Sequence, residues 1–372
     1  MSTSRLVVTI LAILLFVAQA PLLAAARGDE GVFFEHFSAD ELPYMSSPAY
    51  VLMDARTGVV LLGHNMHLRR DPASLTKLMT LLLAHELGRS DERVLVSKKS
   101  ASTPGSSAGL RAGEEWTLGD LMIALALPSG NDAAVAVAEH IGGDVAGFSA
   151  LMNSRAAMLG MVGATFSNPH GLTAEGHVMT AHDLALLTAH VLSVPRLRHI
   201  VSLREAVIRS VAGRTVTLHN TNRLLWSDIL FRGVKTGTTS AAGQCLIAAG
   251  RLGTVEIIAV VLGSGNRWAD AERLIRWGFE YFTWQTVVSR ERAVSSVPVL
   301  GWPDGHRLAL APPRDVVMPF PRGRDVHFDL LVNRPPFLPG LREGPAGEMA
   351  VRLSGEILYR TSLVPLVQSD EL

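Results

Sequence analysis

The sequence predicts an α+β fold: a helical middle region set between strands of one antiparallel sheet, with a small β-rich region after it. Three observations carry this. Two short apolar runs, residues 50–53 and 59–62, flank the turn at 54–58 and read as a β-hairpin. From about residue 90 to 200 the apolar residues recur mostly at helical spacing. From Val234 the pattern returns to strands, at 241–250 and 255–262, which are expected beside the first hairpin in one sheet.

Composition sets the outer limits. A chain of 372 residues suggests two domains, and 48% hydrophobic against 18% charged residues supports a sizeable core. Lys+Arg and Asp+Glu are both 34, so bulk charge gives no reason to expect a nucleic-acid partner. Cys245 is the lone cysteine and cannot form an intrachain disulfide; its apolar neighbours Leu246 and Ile247 favour a small buried residue.

Taken in order, Arg5 precedes an apolar run over residues 6–26 that ends in Ala24-Ala25-Ala26. A basic start, an apolar run and an A-x-A-like site are the pattern of an export signal, so residues 1–26 are expected to be a signal peptide cleaved near Ala26. Ala18-Gln19-Ala20 is a poorer site because Pro21 follows it. Left uncut, the run is long enough to span a bilayer. Residues 27–47 read as a polar lead-in.

Residues 78–84 are apolar on every face, which predicts a helix buried in the core. Pro72 sits just before it and Gly88 stops it. Residues 89–116 carry loop chemistry. Gly105-x-Ser107-x-Gly109 formally matches a nucleophile elbow, but that motif needs a preceding strand, and the polar stretch 98–102 is no buried strand.

Thr117 with Asp120 predicts a helix start. This helix breaks at Pro128-Ser129-Gly130-Asn131, and a second begins at Asp132. Ser129 and Asn131 are thus expected on a short link whose side chains can face a cleft. Further helices are expected at 148–159, 181–191 and 267–282. The last carries Trp268, Ala271, Ile275 and Phe279 on one side, with Asp270, Arg273 and Glu280 off it. After a linker near 286–292, clustered prolines and glycines with short alternating runs predict a small β domain over 290–372.

The chemistry rests on lysine and serine. Ser74 and Lys77 lie one helical turn apart at the mouth of the buried helix. Burial and a second cation would strip the lysine of its proton, and a neutral amine can take the hydroxyl proton. Arginine cannot do this. The chain has four lysines, Lys77, Lys98, Lys99 and Lys235, and two of them fall in candidate motifs. Lys235-Thr236-Gly237 offers a cation on a strand edge, with a glycine that lets a ligand backbone come close. S-x-x-K alone is expected about once or twice by chance in a chain this long, and K-T-G about one time in ten. His170, His177 and His182, with Glu175 and Asp183, lack any metal-ligand spacing, so no metal is expected. Ser264-Gly265-Asn266 repeats the S-x-N letters after K-T-G and is set aside.

S-x-x-K, S-x-N and K-T-G in this order are shared by penicillin-binding proteins and serine β-lactamases. The wider wording, Asp71-Pro72-Ala73-Ser74-Leu75-Thr76-Lys77, Asn168-Pro169-His170-Gly171-Leu172 and Lys235-Thr236-Gly237-Thr238-Thr239 with Ala242-Gly243, resembles the D-alanyl-D-alanine carboxypeptidases, the low-molecular-mass penicillin-binding proteins of the type 5/6 group. The resemblance covers residues 45–285, which it implies to be a β-lactamase/DD-peptidase-like catalytic domain: a five-stranded antiparallel sheet with helices beside a helical lobe. Residues 290–372 resemble that group's β-rich appendage.

The resemblance implies a peptidoglycan stem peptide ending in D-Ala-D-Ala as substrate, and β-lactams as covalent inhibitors. It implies Ser74 as nucleophile, Lys77 as proton acceptor and Ser129 as proton relay. Asn131, Lys235, Thr236, Thr238 and Arg267 would bind substrate, with the backbone N–H groups of Ser74 and Thr238 forming the oxyanion hole. No metal or organic cofactor is implied. The alternatives are an endopeptidase acting on cross-links, a serine β-lactamase with Glu175 as the nearest candidate base, and a non-catalytic wall-binding scaffold. The protein is expected in the periplasm. The proline-broken tail 361–367 is a poor membrane anchor, so any hold on the inner membrane would rest on the N-terminus.

Overall fold

The central sheet is built from segments on either side of the helical region. Its strands run in the spatial order Val60–His64, Ala49–Asp54, Val255–Ser264, Gly243–Leu252, Phe231–Thr239, and every neighbouring pair is antiparallel. The structure, a computed structural model, describes residues 30–299, 307–335, 338 and 345–366. The segment read as an export signal, residues 1–26, lies outside the described residues.

The inner strands are apolar on both faces because both faces are covered. Val51, Met53, Ile258, Val260, Ile247 and Ala249 join the core shared with the helical lobe. Their neighbours Leu52, Ile257, Ala259, Val261, Leu246 and Ala248 point the other way, toward helix Arg267–Tyr281. Helix Lys77–Leu87 is buried from Lys77 to Ala84, as its unbroken apolar run requires. Each fully buried leucine here stabilises by about 1.5–3 kcal/mol. Around it stand helices Leu118–Ala126, Asn131–Gly142, Val145–Met158 and Ala181–Ser193.

Several expectations are corrected. The lead-in at 27–47 is not simply polar: Phe33 is fully buried and meets Phe282 edge-on at 5.4 Å, while Phe37 meets Trp277 at 5.0 Å. These aromatics seal the junction between the central sheet and the β-rich region. Asp270, read as lying off the apolar side of its helix, is 1% exposed and accepts bonds from the Ser46 N–H and from the hydroxyls of Ser46 and Ser264. The stretch read as a linker begins inside strand Phe282–Val288, which pairs with Val316–Pro321.

Beyond that pair stands a second five-stranded sheet, in the order Ser295–Pro298, Arg307–Ala311, Glu356–Pro365, Gly347–Leu353, Asp329–Asn333. Most of the tail considered as an anchor is strand in this sheet. Trp284 donates its indole N–H to buried Asp54 at 2.7 Å, and Arg56 reaches the Asp315 carbonyl at 2.7 Å, so the hairpin turn is bolted to the β-rich region. Among the described residues no helix is long and apolar enough to cross a membrane.

Candidate active site

Ser74 does not lie in the first α-helical turn, as expected, but in a 3-10 turn, Ala73–Thr76, that feeds helix Lys77–Leu87. The tighter turn still stacks residues three apart on one face. Lys77 Nζ stands 3.0 Å from Ser74 Oγ. Ala73, just before the serine, has φ +48°, a left-handed conformation that costs an alanine about 1–2 kcal/mol. Non-glycine residues held this way cluster at functional sites.

Lys77 is fully buried, and its amine makes three contacts: Ser74 Oγ at 3.0 Å, Asn131 Oδ1 at 2.6 Å and the His170 carbonyl at 2.8 Å. The last two can only accept. A neutral amine has two hydrogens and one lone pair, so both hydrogens go to the carbonyls. The lone pair is left for the serine hydroxyl, the one partner that can donate. Burial first, and the Lys235 charge second, push Lys77 well below the usual lysine range, while Asp132 pulls the other way. The orientation of Asn131 follows from its partners, since Nδ2 donates to the Pro104 carbonyl at 2.6 Å. Asn131 is the first residue of its helix, not part of the preceding link.

Ser129 is on that link. Its φ is +65°, and its buried Oγ finds no hydrogen-bond partner among the described residues. A buried hydroxyl without a partner is costly, which fits a group kept for an incoming ligand.

Sequence reasoning missed Asp132. It is fully buried and accepts from Ser107 Oγ at 2.5 Å and from the N–H groups of Ala108 at 3.0 Å, Leu110 at 3.1 Å and Ala133 at 2.9 Å. It thereby clamps the 106–110 loop over the link, and that loop holds the serine of the discarded nucleophile-elbow match. The signal was an acidic residue next to S-x-N with no cation near it in sequence.

The third wall is the outer strand Phe231–Thr239. Lys235 is buried, donates to the Thr236 carbonyl at 3.2 Å, and is pushed down to about 7 by burial and then by Arg267. Thr236 Oγ1 shares a hydrogen bond with Thr221 Oγ1 at 2.6 Å. At Gly237, a Cβ would lie 3.1 Å from Ser74 N and from the Pro72 carbonyl oxygen. The strand therefore runs hard against the turn that carries Ser74, and glycine permits it. Arg267 donates to the Gly237 carbonyl at 2.9 Å and to Thr238 Oγ1 at 2.7 Å, which puts it at the open end of this strand.

The remaining candidates separate. His170 contributes its carbonyl; its ring Nδ1 accepts from Leu172 N–H at 3.2 Å, and burial holds the ring down to about 3. His182 is elsewhere, packed on His67 with ring centroids 4.9 Å apart. Glu175 is exposed, and its carbonyl, not its carboxylate, is what Ser167 bonds. Cys245 is fully buried in the sheet.

The sequence profile of the D-alanyl-D-alanine carboxypeptidases, peptidase family S11, matches residues 36–266. The chain is 35% identical over 257 residues to D-alanyl-D-alanine carboxypeptidase DacF of Bacillus subtilis, covering 67% of this chain and 66% of that one. It is 32% identical over 351 residues to DacC of Escherichia coli, covering 89% of this chain and 86% of that one. The crystal structure of penicillin binding protein 5 from Haemophilus influenzae superposes with a TM-score of 0.73 at 27% identity, covering 87% of this chain and 98% of that one. The chain belongs to the D-alanyl-D-alanine carboxypeptidases, the penicillin-binding hydrolases of peptidase family S11.

Proposed function

We propose that the protein removes the terminal D-alanine from peptidoglycan stem pentapeptides through an acyl-enzyme on Ser74. The observation that carries this is the contact set of Lys77, which leaves its lone pair to the Ser74 hydroxyl. Lys77 takes the hydroxyl proton as Oγ attacks the penultimate D-Ala carbonyl. The developing oxyanion is held by the N–H groups of Ser74 and Thr238. On collapse the C–N bond breaks, and Ser129 passes the proton to the departing amine of D-alanine. Water then cleaves the ester and restores Oγ–H. Lys235, Thr236, Thr238 and Arg267 receive the substrate's terminal carboxylate, a charge that matches Lys235 and Arg267. Asn131 holds Lys77 and borders the substrate amide.

The catalytic unit spans residues 45–285 and the β-rich domain 290–372. The protein is exported by its first 26 residues and works in the periplasm, where a β-lactam would acylate the same serine. Glu175 faces solvent, which weighs against a fast β-lactamase deacylation. The test is incubation with a labelled penicillin and mapping of the modified peptide, beside D-alanine release from a D-Ala-D-Ala peptide. Label on Ser74 and its loss in Ser74→Ala support the reading. No label, or label elsewhere, overturns it. Cleavage of cross-linked muropeptides without D-alanine release would make the protein an endopeptidase.

A further inference from the structure

Ala73 must be held where it is, because its left-handed backbone is one that side chains other than glycine rarely adopt. Its carbonyl accepts from Thr76 Oγ1 at 2.8 Å. A threonine bonding a carbonyl three residues back is ordinary local chemistry. What lies behind it is not local. Thr76 Oγ1 is also 2.8 Å from His177 Nε2, a residue that arrives 101 positions later and is 1% exposed. His177 Nδ1 in turn accepts from the Ser167 N–H at 2.9 Å.

The directions of these bonds are forced. A backbone N–H can only donate, so His177 Nδ1 carries no proton, and in the neutral ring the proton sits on Nε2. A carbonyl can only accept, so the single hydroxyl hydrogen of Thr76 goes to Ala73. The chain of donation is Ser167 N–H to His177, His177 Nε2–H to Thr76 and Thr76 O–H to the Ala73 carbonyl.

The same 168–177 segment also carries the His170 carbonyl that binds Lys77, and the Pro169 carbonyl that accepts from Thr80 Oγ1 at 2.6 Å. Its Gly171 packs so close that a Cβ there would lie 1.8 Å from the Ala73 oxygen. One segment thus grips both the lysine and the turn that presents the serine.

We propose that His177 is a positioning residue: acting through Thr76, it fixes the Ala73 carbonyl and so sets where Ser74 Oγ meets Lys77. The inference rests on the reading of Ser74 as nucleophile. His177 touches no reacting atom. It keeps the left-handed turn from relaxing, and relaxation would swing both the Ser74 hydroxyl and its N–H away from the cleft.

The test uses the exported chain and two paired substitutions. Thr76→Val removes the hydroxyl at constant shape, and Thr76→Ser keeps it. His177→Ala removes the donor, and His177→Gln offers an amide N–H near the same place. Thr76→Val and His177→Ala are expected to lower kcat for a D-Ala-D-Ala peptide, and the acylation rate by labelled penicillin, by about 10- to 100-fold. KM should move less than about threefold, because the carboxylate pocket is untouched. Thr76→Ser should recover most of the rate. Overturning results are a folded Thr76→Val acylated at the parent rate, a Thr76→Ser as slow as Thr76→Val, or a loss that appears in KM alone.

A nitrogen-15 NMR spectrum of the His177 ring gives a readout that needs no activity. A slowly exchanging proton on Nε2, which exchanges faster in Thr76→Val, supports the relay; a proton on Nδ1 overturns it. Should the parent protein take no penicillin on Ser74, the functional reading falls while the ring spectrum still decides the hydrogen-bond chain.

Discussion

The molecule contains the letters Ser-Gly-Asn twice, and the two copies do opposite things. Ser129-Gly130-Asn131 joins two helices, with Ser129 in a left-handed backbone, its hydroxyl without a partner among the described residues, and Asn131 bound to Lys77. Ser264-Gly265-Asn266 ends a sheet strand and starts a helix. Ser264 Oγ donates to buried Asp270 at 2.6 Å, and Asn266 Oδ1 caps the helix by accepting from Ala269 N–H at 3.2 Å. The second copy spends its serine hydroxyl and its asparagine side-chain oxygen on the fold. The first leaves one over, and a polar group left over inside a protein is a better sign of function than the motif that contains it.

The sharpest way to break the contrast is to delete each hydroxyl. Ser129→Ala is expected to lower kcat by about 10²-fold or more, the range for losing a positioned proton-transfer group, with the melting temperature unchanged. Ser264→Ala should leave kcat alone and destabilise by about 1–3 kcal/mol, since Asp270 stays buried with one donor fewer. Steady-state kinetics and a thermal melt on both variants decide it; equal effects on kcat would erase the distinction.

The glycines offer a second comparison. A Cβ on Gly130 would lie 2.6 Å from Asp132 Oδ1 and 3.0 Å from the Ala124 carbonyl, whereas one on Gly265 meets nothing nearer than Ser46 Oγ at 3.4 Å. Gly130→Ala should therefore destabilise by about 1–3 kcal/mol through overpacking and loosen the 106–110 loop. Gly265→Ala should stay within about 0.5 kcal/mol of the parent in a denaturant titration.

Burial also shifts the titration of three histidines. His170, His177 and His182 are held down to about 3, 4 and 4 by burial, against an ordinary value of 6.5. Between pH 6.5 and 4 the unfolded chain binds protons that the native rings refuse. Stability is full above pH 6.5 and falls with pH, by up to about 1.4 kcal/mol per pH unit for each ring. Melting temperatures across that window test this, and a flat profile would contradict it.

Lys235 acts on the alkaline side. With its value near 7 instead of 10.5, the native state has shed a proton that the unfolded chain keeps, so its contribution to stability rises from pH 7 toward 10.5. Activity should move the opposite way: kcat/KM is expected to fall tenfold per unit above about pH 7 as the carboxylate's partner loses its charge. Lys235→Arg, which cannot lose its proton, should flatten that limb.

Much of this was legible beforehand. Apolar runs of strand length located the sheet, and the breaks at Gly88 and 128–131 located helix ends, because these depend on neighbours within a few residues. The buried Asp270 and the aromatic anchors Phe33 and Phe37 were not legible, because their burial is supplied by segments hundreds of positions away. Asp132 and His177 escaped for the same reason: each is defined by what it bonds to, and its deciding partners, Ser107 for Asp132 and Thr76 for His177, are distant in the chain.

By itself the sequence determined the chemical inventory and its local spacing: a serine and a lysine one turn apart, a scarce lysine beside a glycine, and strands and helices in this order. Only the tertiary structure decided which Ser-Gly-Asn faces the lysine, and that burial and the Lys235 charge push the lysine well below its ordinary range. Spacing within a turn is a property of the backbone over a few residues. The proton affinity of a buried amine is set by the solvent excluded and the charges assembled around it by the whole fold.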